Sequence, residues 1–335
     1  MNSPACVVVG LGHHGALLAR QIADRGYALV GAVEVNDLVG KDLTSIIPGA
    51  VEGAVVHPAP AAALAAKPEI AVIAVTVPLD VLVSISREFL AAGVNVVTIN
   101  PEFFDTAQDW KAELNTVGRQ TGATLLATGV QDTWWVQMPA VAAGASSAVT
   151  RIIIEHQVDI NTLSLEVAGF IGVGGPAPDS TDVQGPGEAY VPGTESGVLA
   201  AALQEAARKL GVIPLQTTLW TDPIVADRPV HWRAVGKTVE AGRVIGISER
   251  SLVITDRGLF LEGVLRTVLL DGDDVPSDRL TVEGVPNLVL EHKPFPGEQI
   301  TNIALLNRIP DVIAAPGGVV GAADLPPARA WFGNV

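Results

Sequence analysis

A glycine-rich turn near the start of the chain has the spacing that positions a dinucleotide pyrophosphate. It comprises Gly10-Leu11-Gly12-His13-His14-Gly15 and follows the apolar strand predicted for Cys6–Val9. In this pattern the first glycine permits a tight turn, the second lets the backbone approach the pyrophosphate, and the third lets a helix pack against the strand. Glu34 ends the next apolar segment, where a carboxylate binds ribose hydroxyls. The sequence therefore predicts an NAD or NADP site, with NAD favoured. The alternative is a glycine turn that binds no nucleotide.

A carboxylate that could manage protons follows a later predicted strand. Asn100, Pro101 and Glu102 come directly after the apolar run Val94–Ile99. A glutamate in an apolar cavity can have its pKa raised toward neutrality, which lets it exchange protons with a reacting group. The same three residues also suit a helix start, with Asn100 as N-cap and Pro101 at the first helical position. Both roles for Glu102, catalysis and helix initiation, stay open at this point.

Polar segments follow the predicted strands at four places, and ligands of doubly wound sheets bind beyond the carboxyl ends of their strands. The four segments are Gly10–Gly15, Thr76–Pro78, Asn100–Glu102 and Gly129–Asp132. We expect Thr76, Pro78 and Asn100 to contact the cofactor together with the glycine turn. Gln131 and Asp132 are the corresponding candidates for the substrate.

Aromatic and histidine side chains supply further candidates, each with a plainer alternative. Trp134 and Trp135 could form the wall of an apolar substrate pocket or contact a cation through a ring face, and could equally be core or dimer contacts. His156 lies in an alternating apolar run and could face a ligand, whereas a core histidine is the commoner case. His13 and His14 could contact phosphate or lie in solvent. Because no Cys/His cluster or HExxH motif occurs, we expect no metal site.

Composition restricts the classes of partner. The chain has 335 residues, enough for about two domains, and is 48% hydrophobic with a formal net charge of −15. An acidic balance of this size disfavours nucleic acid and anionic membranes. The longest uncharged stretch, 133–150, contains Gln137, Pro139 and Gly144, so we interpret it as buried interior and expect no membrane span.

The N-terminal residues and the single cysteine bear on localisation. Met1–Ala5 has no basic region and leads into a strand that the fold needs, so we expect no signal peptide. Cys6 is the only cysteine and cannot form an intramolecular disulfide, which suits a reducing compartment. We therefore expect a cytoplasmic protein.

Alternating strands and helices over the first third predict a Rossmann doubly wound parallel sheet of five or six strands. Continuous apolar runs, expected of strands buried on both faces, lie at Ile70–Val75, Val94–Ile99 and Thr124–Thr128. Helical periodicity lies between them, at about Ala16–Arg25, Leu79–Ala92 and Thr106–Thr121. We assign residues 1–130 to a dinucleotide-binding domain.

After Gly129 the pattern changes to that of an α+β domain with a mixed or antiparallel sheet, which we assign to residues 131–296. We predict a helix that begins near Gln131, a long strand over Arg151–Phe170, an ordered loop over Gly172–Gly197 and a helix over Val198–Leu210. Further strands are predicted at 215–220, 238–248, 251–256, 259–270 and 287–293. The last segment, 297–335, is predicted to be a helix to Asn307 and a tail from Pro310, returning to the first domain.

Segments along nearly the whole chain carry a family resemblance. Besides the glycine turn they are Val39–Leu43, Thr98–Glu102, Thr128–Asp132, Thr301–Asn302, Asn307–Pro310, Ala315–Gly318 and Asp324–Pro326. With these segments in this order, the chain resembles the dihydrodipicolinate reductase-like oxidoreductases. More narrowly, it is similar to the 2,4-diaminopentanoate dehydrogenases and the native amine dehydrogenases.

This resemblance implies an NAD(P)-dependent amine or diamino-acid dehydrogenase, which in reverse would reductively aminate a carbonyl compound with ammonia. It implies Glu102 as the catalytic residue, stabilising an iminium cation and managing the ammonium or water proton. It also implies that a late helix carrying Asn302 returns to the ligand, where Asn302 would bind substrate. A homodimer is expected from the resemblance as well.

Departures from the family motifs leave the substrate open. Dihydrodipicolinate reductases carry a His-His-x-x-x-Lys stretch and a Ser-Gly-Thr loop, whereas here the strand Glu155–Asn161 contains His156 and no lysine. Trp134-Trp135 and Asn100-Pro101 also differ from the diaminopentanoate pattern. A reductase of another C=N or C=O substrate, and a sensor that binds NAD without turnover, stay open as alternatives. Glu102 discriminates against the sensor, which would not need a carboxylate beside the nicotinamide.

Overall fold

The computed structural model describes residues 3–104, 109–177 and 197–333. The chain forms two compact units, each with its own sheet. The first comprises Met1–Thr133 and Glu298–Val335, and the second comprises Trp134–Gly297. In the part of the chain that the structure describes, no helix combines the length and the apolar character that crossing a membrane requires.

The first unit is built on a seven-stranded sheet in which every neighbouring pair is parallel. Its strands in chain order are β1 (Ala5–Val9), β2 (Ala28–Val33), β3 (Val56–His57), β4 (Ile70–Ile73), β5 (Asn95–Thr98), β6 (Thr124–Ala127) and β15 (Gly318–Val320). The order across the sheet is β15-β6-β5-β4-β1-β2-β3. The strand order therefore reverses between β1 and β4, as in a Rossmann fold, and the predicted fold class is confirmed.

Helices cover this sheet and supply its core. They are α1 (His13–Asp24), α2 (Pro60–Ala63), α3 (Leu79–Ala91), α4 (Asp109–Thr121) and α8 (Gly297–Ala314). Leu18 and Ile22 of α1 share one buried cluster with Leu305 and Ile309 of α8. Pro310 lies inside α8, so the predicted helix end near Asn307 was wrong: the buried face continues to Val312, and its packing holds the helix together past the proline. The predicted tail then contributes β15, and the sheet has seven strands where five or six were predicted.

The second unit contains a mixed sheet, as predicted, and this sheet has six strands. Its strands are β7 (Ser147–Asp159), β8 (Pro214–Val225), β11 (Val244–Thr255), β12 (Phe260–Val268), β13 (Ser277–Val285) and β14 (Leu288–His292). They are ordered β14-β13-β7-β12-β11-β8; β7 and β12 are parallel and the other pairs antiparallel. A separate hairpin pairs β9 (Val230–Trp232) with β10 (Lys237–Val239). The helices are α5 (Met138–Ala143), which follows a π-helical segment at Gln131–Gln137, α6 (Leu165–Ile171) and α7 (Val198–Lys209).

Several predicted boundaries in this unit were wrong, and after β7 local caps override strand propensity. The strand predicted to reach Phe170 ends at Asp159, whose side chain accepts a hydrogen bond from the backbone N–H of Asn161 at 3.0 Å. Ser164 then caps α6 through the N–H of Val167. The strands predicted at 238–248 and 251–256 are replaced by β10 and one continuous β11, and β9 and β13 were not predicted. Most of the predicted loop Gly172–Gly197 lies outside the described residues.

One lateral row of side chains crosses the second sheet on its buried face. Asp278, His156, Leu265 and Glu249 are consecutive register partners on β13, β7, β12 and β11, and all four are buried. Glu249 Oε1 accepts a hydrogen bond from the backbone N–H of Leu199, in the first turn of α7, at 3.1 Å. Burial raises the pKa of the Glu249 carboxyl from 4.5 to about 7.

Glu249 should make the protein less stable as the pH rises. A carboxyl whose folded pKa exceeds its unfolded value contributes stability fully below pH 4.5, and that stability is lost as the pH rises through about 7. The shift corresponds to about 3 kcal/mol. Glu249→Gln should therefore flatten the loss of melting temperature between pH 5 and 8, and the exposed Glu240→Gln should leave that loss unchanged. Parallel pH profiles for wild type and Glu249→Gln would contradict this.

Candidate functional site

Two glycines of the N-terminal turn are required by packing, and one leaves open space. Gly10 has φ +89°, and a Cβ there would lie 2.6 Å from the carbonyl oxygen of Ala74. A Cβ on Gly15 would clash with the carbonyl oxygen of Gly10. A Cβ on Gly12 would meet no atom within 4 Å. The fold therefore explains Gly10 and Gly15, whereas the open position at Gly12 is unexplained by packing.

The N-terminus of α1 lies at this open position. Gly12 is its N-cap and has no side chain to accept from the N–H groups of the first turn. Uncapped N–H groups and the positive end of the helix dipole favour an anion. The open space and the uncapped helix start together fit a pyrophosphate.

Glu34 holds the glycine turn. Its Oε1 accepts a hydrogen bond from the backbone N–H of Leu11 at 2.9 Å, and its Oε2 accepts one from the N–H of Val35 at 2.8 Å. Each carboxylate oxygen can accept more than one hydrogen bond, so capacity remains for hydroxyl groups. The nearby cation Lys41 lies 3.7 Å from a carboxylate oxygen of Asp37.

The side chain of Asn100 connects the end of β5 to the loop after β4 through hydrogen bonds. It is buried; its Nδ2 donates to the carbonyl oxygen of Val75 at 2.8 Å, and its Oδ1 accepts from the Thr98 hydroxyl at 2.8 Å. These bonds fix the loop after β4 that carries the exposed Thr76 and Pro78. Asn100 is also the N-cap residue of a 3-10 turn at Pro101–Phe103, but its side chain makes no capping bond. Its side chain therefore positions the loop.

Glu102 is the middle residue of that 3-10 turn. The turn follows β5, which lies beside β4 and, one strand further, β1. Because these strands are parallel, the segments that follow them lie along one edge of the sheet. The fold thus brings the glycine turn, Thr76–Pro78, Glu102 and Gly129–Asp132 to the same edge.

The two histidines of the turn contact α8. His13 Nε2 lies 2.8 Å from Oε1 of Glu298, and His14 Nδ1 lies 3.3 Å from Oδ1 of Asn302. Asn302 is itself buried. Within this unit, these bonds tie the start of α1 to the first turns of α8.

Asp132 forms a buried ion pair that local sequence patterns did not reveal. Its two oxygens lie 2.6 and 2.7 Å from Nε and Nη2 of Arg308, and both residues are inaccessible to solvent. The Thr128 hydroxyl also donates to Asp132, and Asp311 accepts from Arg308 at 3.1 Å. Burial alone would lower the pKa of Arg308, but the two carboxylates raise it above its ordinary value. Arg308 follows directly after the predicted helix end, among the apolar residues Leu305, Leu306 and Ile309, and an arginine in such an apolar run is the signal that could have indicated this pair.

The side chain of Gln131, unlike that of the adjacent Asp132, includes an oxygen without a hydrogen-bond partner in the part of the chain that the structure describes. Its Oε1 is buried and has no hydrogen-bond partner among the described residues. The preceding loop is held by the Thr301 hydroxyl, which accepts from the backbone N–H of Val130 at 3.3 Å. A buried amide oxygen without a donor is one place where a ligand or water can bind.

In the second unit, the remaining candidates form an aromatic cluster. Trp135 Nε1 donates to Oδ2 of Asp278 at 3.1 Å, and Nδ1 of His156 lies 2.7 Å from the same oxygen. The half-buried Trp134 ring packs edge-to-face on Phe295 at 5.1 Å. Asp278 was not among the residues that the sequence indicated.

A surface groove and the search for metal-binding clusters complete the description of candidate ligand sites. A groove of about 490 Å³ in the first unit is lined by residues of α1, α8 and the tail, including Arg25 and Trp331, and by none of the predicted site residues. Among the residues described, no cluster of three His, Cys, Asp or Glu side chains is placed to hold a metal ion.

Comparison with known proteins gave matches among solved structures. No protein-family model matches the chain. No curated protein matches it either. An amine dehydrogenase from Mycobacterium smegmatis is similar over 98% of both chains, with 28% sequence identity and a TM-score of 0.86.

More distant structures share the fold alone. GenD2 from gentamicin A biosynthesis, solved in complex with NAD, is 16% identical, with a TM-score of 0.58 over 94% of this chain and 87% of that one. A dipicolinate-bound dihydrodipicolinate reductase from Paenisporosarcina sp. TG-14 is 11% identical, with a TM-score of 0.51 over 96% and 98%. The predicted resemblance to the amine dehydrogenases is confirmed by the Mycobacterium smegmatis structure. The dihydrodipicolinate reductase confirms the predicted fold.

Proposed function

We propose that the protein is an NAD(P)-dependent amine dehydrogenase. It would convert a primary amine, water and the oxidised cofactor into a carbonyl compound, ammonium and the reduced cofactor, and would catalyse reductive amination in reverse. The observation that carries this proposal is the similarity to the Mycobacterium smegmatis amine dehydrogenase over nearly the full length of both chains. The proposed class of amines includes diamino acids.

The cofactor would bind at the carboxyl edge of the first sheet. We assign the pyrophosphate to Gly12 and the uncapped start of α1, and the ribose to Glu34. Thr76 and Pro78 line the next strand end, where Asn100 holds their loop. The nicotinamide supplies a hydride acceptor when bound. His13 and His14, bonded to α8, would shape the turn around the phosphates.

Glu102 would act on the substrate nitrogen. Loss of hydride from an amine carbon leaves an iminium cation, which a nearby carboxylate stabilises. Water must then attack this carbon and lose a proton, for which the same carboxylate is a suitable base. The position of Glu102 after β5, at the edge that carries the glycine turn, supports both roles.

The residues predicted to bind substrate fall into two groups. Some are proposed to contact the substrate, and the others already have buried partners and would support the site. Gln131, with its unpartnered amide oxygen, and Trp134 and His156 remain the proposed substrate contacts. Asp132 and Trp135 have buried partners, Arg308 and Asp278, and would support the site instead. Asn302 would support it through His14.

NADH should be accepted and preferred over NADPH. The Glu34 carboxylate favours ribose hydroxyls and repels a 2′-phosphate, and the nearby Lys41 is close to the Asp37 carboxylate. The measurement is kcat/KM for both cofactors with one carbonyl substrate. A tenfold or greater preference for NADPH would reverse the assignment.

The proposed activity is tested by following NADH absorbance with a panel of ketones and aldehydes, with and without ammonium. Consumption that requires ammonium supports the amine dehydrogenase. Consumption without ammonium would instead indicate a reductase of C=O substrates. Tight NADH binding with no turnover on any member would favour the sensor alternative.

We also propose a homodimer formed through the second sheet. The face opposite the buried row carries Phe260 and Val289, exposed to 41% and 52%, and Arg279 between Glu155 and Glu291. Exposed apolar side chains beside charged ones suit a self-complementary interface. Light scattering should give twice the chain mass for wild type and a lower mass for Phe260→Glu; a monomeric wild type would contradict the proposal.

A further inference from the structure

The groove of about 490 Å³ in the first unit lies apart from the proposed cofactor site. It is lined by the last turn of α1, the middle of α8 and the C-terminal tail. The glycine turn is at the opposite end of α1, which is a helix of 12 residues and about 18 Å long. The volume of the groove is in the range of small-molecule sites. The groove can therefore hold a small ligand separately from the cofactor.

Arg25 supplies this groove with a positive charge. Its Nη1 donates to Oδ1 of Asn307 at 2.8 Å, and its guanidinium lies over the Trp331 ring, 5.0 Å from the ring centroid. Burial lowers the pKa of Arg25, and the hydrogen-bonded Tyr27 side chain only partly offsets this. Among the residues that the structure describes, no Asp or Glu forms an ion pair with Arg25. Because an arginine stays charged and has five N–H donors, the groove presents a cation that can still bind a carboxylate.

Two hydrogen-bond acceptors line the groove beside this cation. Oε1 of Gln21 is buried and has no hydrogen-bond partner within the described ranges of the chain. Gln21 precedes Arg25 by four residues, so the two side chains lie on one face of α1 with Cβ atoms about 5–6 Å apart. The exposed Asp24 also lines the groove and forms no ion pair in the described part of the chain. A buried amide oxygen without a donor is a favourable position for an N–H group of a ligand.

Apolar surface completes the lining of the groove. Ile303 of α8 and Trp331 of the tail are 45% and 46% exposed. An apolar ligand side chain would remove this surface from water, which stabilises the bound state. The formal net charge of the chain is −15, which disfavours a free anion such as phosphate. The lining therefore suits a ligand whose own charges balance and whose remaining surface is apolar.

We propose that this groove is a second ligand site, which binds an apolar α-amino acid. The ligand carboxylate pairs with Arg25, and the ligand ammonium donates to Oε1 of Gln21 and to the Asp24 carboxylate. The ligand side chain covers Ile303 and Trp331. An α-amino acid carries both charged groups on one carbon, which suits two protein side chains one helical turn apart. This site goes beyond the proposed dehydrogenase function and does not depend on it.

A ligand titration followed at Trp331 tests the proposal. The six tryptophans are replaced by 5-fluorotryptophan, and the Trp331 fluorine resonance is assigned with Trp331→Phe. L-leucine should shift this resonance saturably. 4-Methylpentanoate and 3-methylbutylamine, which each lack one charged group of leucine, should bind at least about 10-fold more weakly, because each loses a charge-assisted hydrogen bond. The absence of a saturable shift at millimolar leucine, or equal affinity for all three compounds, would overturn the proposal.

Three variants assign the charged contacts. Arg25→Gln should weaken leucine binding at least about 10-fold, and Gln21→Leu should reduce the preference for leucine over 4-methylpentanoate. Arg20→Gln, an exposed arginine of α1 that does not line the groove, should change neither quantity. All three should keep the wild-type affinity for NADH, which also shows that they fold. Unchanged leucine binding in Arg25→Gln, or leucine oxidation without a shift at Trp331, would overturn the second site. A saturable shift without turnover of any amine would support this site and contradict the proposed dehydrogenase function alone.

Discussion

Glu102→Gln should keep the fold and the affinity for NADH but lose most turnover. The amide nearly matches the carboxylate in size, so packing around the 3-10 turn at Pro101–Phe103 should survive. The amide can neither exchange a proton nor offer a full negative charge to an iminium cation. Loss of general acid–base function costs about 10²–10⁴ in rate, and loss of charge stabilisation adds to this. Melting temperature and kcat are measured on one preparation with an accepted amine.

The structural alternative for Glu102 predicts the opposite pattern. A glutamate that only favours a helical first turn contributes about 0.3–1 kcal/mol through the helix dipole. Its replacement would then lower the melting temperature slightly and leave kcat nearly intact. Glu88→Gln, an exposed glutamate on α3, is the matched control and should change neither quantity. More than about a third of wild-type kcat in Glu102→Gln, well outside the acid–base range, would contradict the catalytic assignment.

Gly12→Val should abolish NADH binding without unfolding the protein. A Cβ at Gly12 meets no atom within 4 Å, so the fold has open space at the start of the side chain. The same space lies at the uncapped start of α1, where the pyrophosphate is proposed to bind, and a branched side chain would occupy it. Calorimetric titration with NADH, together with a thermal melt, measures both effects.

Gly15→Ala is the matched contrast within the same turn. Its Cβ would clash with the carbonyl oxygen of Gly10, so this smaller change should lower the melting temperature markedly. Loss of binding with a retained fold for Gly12→Val, and loss of stability for Gly15→Ala, would separate ligand recognition from packing. Unchanged NADH affinity in Gly12→Val would mean that the turn has only a structural role.

Local sequence patterns predicted the strands and helices of the first sheet, because burial of a strand and the start of a helix each leave a pattern in neighbouring residues. Ile70–Ile73 is buried on both faces, as its continuous apolar run indicated, and the helix after Gly12 begins at His13. Parallel order then follows from alternation of strands and helices, since short crossovers leave few topologies. The amphipathic pattern likewise predicted α3 to within one residue.

Boundaries were wrong where packing or caps override propensity. The β-branched run after Arg151 suggested a strand to Phe170, but Asp159 and Ser164 bond the backbone and turn the chain first. Pro310 suggested a helix end, but the buried face of α8 stabilises the helix on both sides of it. In the first case side-chain hydrogen bonds to the backbone set the boundary, and in the second case packing against distant residues does. The periodicity of apolar residues shows neither interaction.

The chain by itself determined the fold class, the dinucleotide turn and the position of Glu102 after β5. Only the tertiary structure decided which polar candidates are already paired. Asp132 meets Arg308 across 176 residues, and His156 meets Asp278 across 122. A buried charge or imidazole needs a hydrogen-bonding or charged partner. Sequence spacing cannot identify this partner, because it lies on a helix or strand that is distant in sequence and is brought close only by the fold. The same reason made Asp132 a supporting residue in the proposed site.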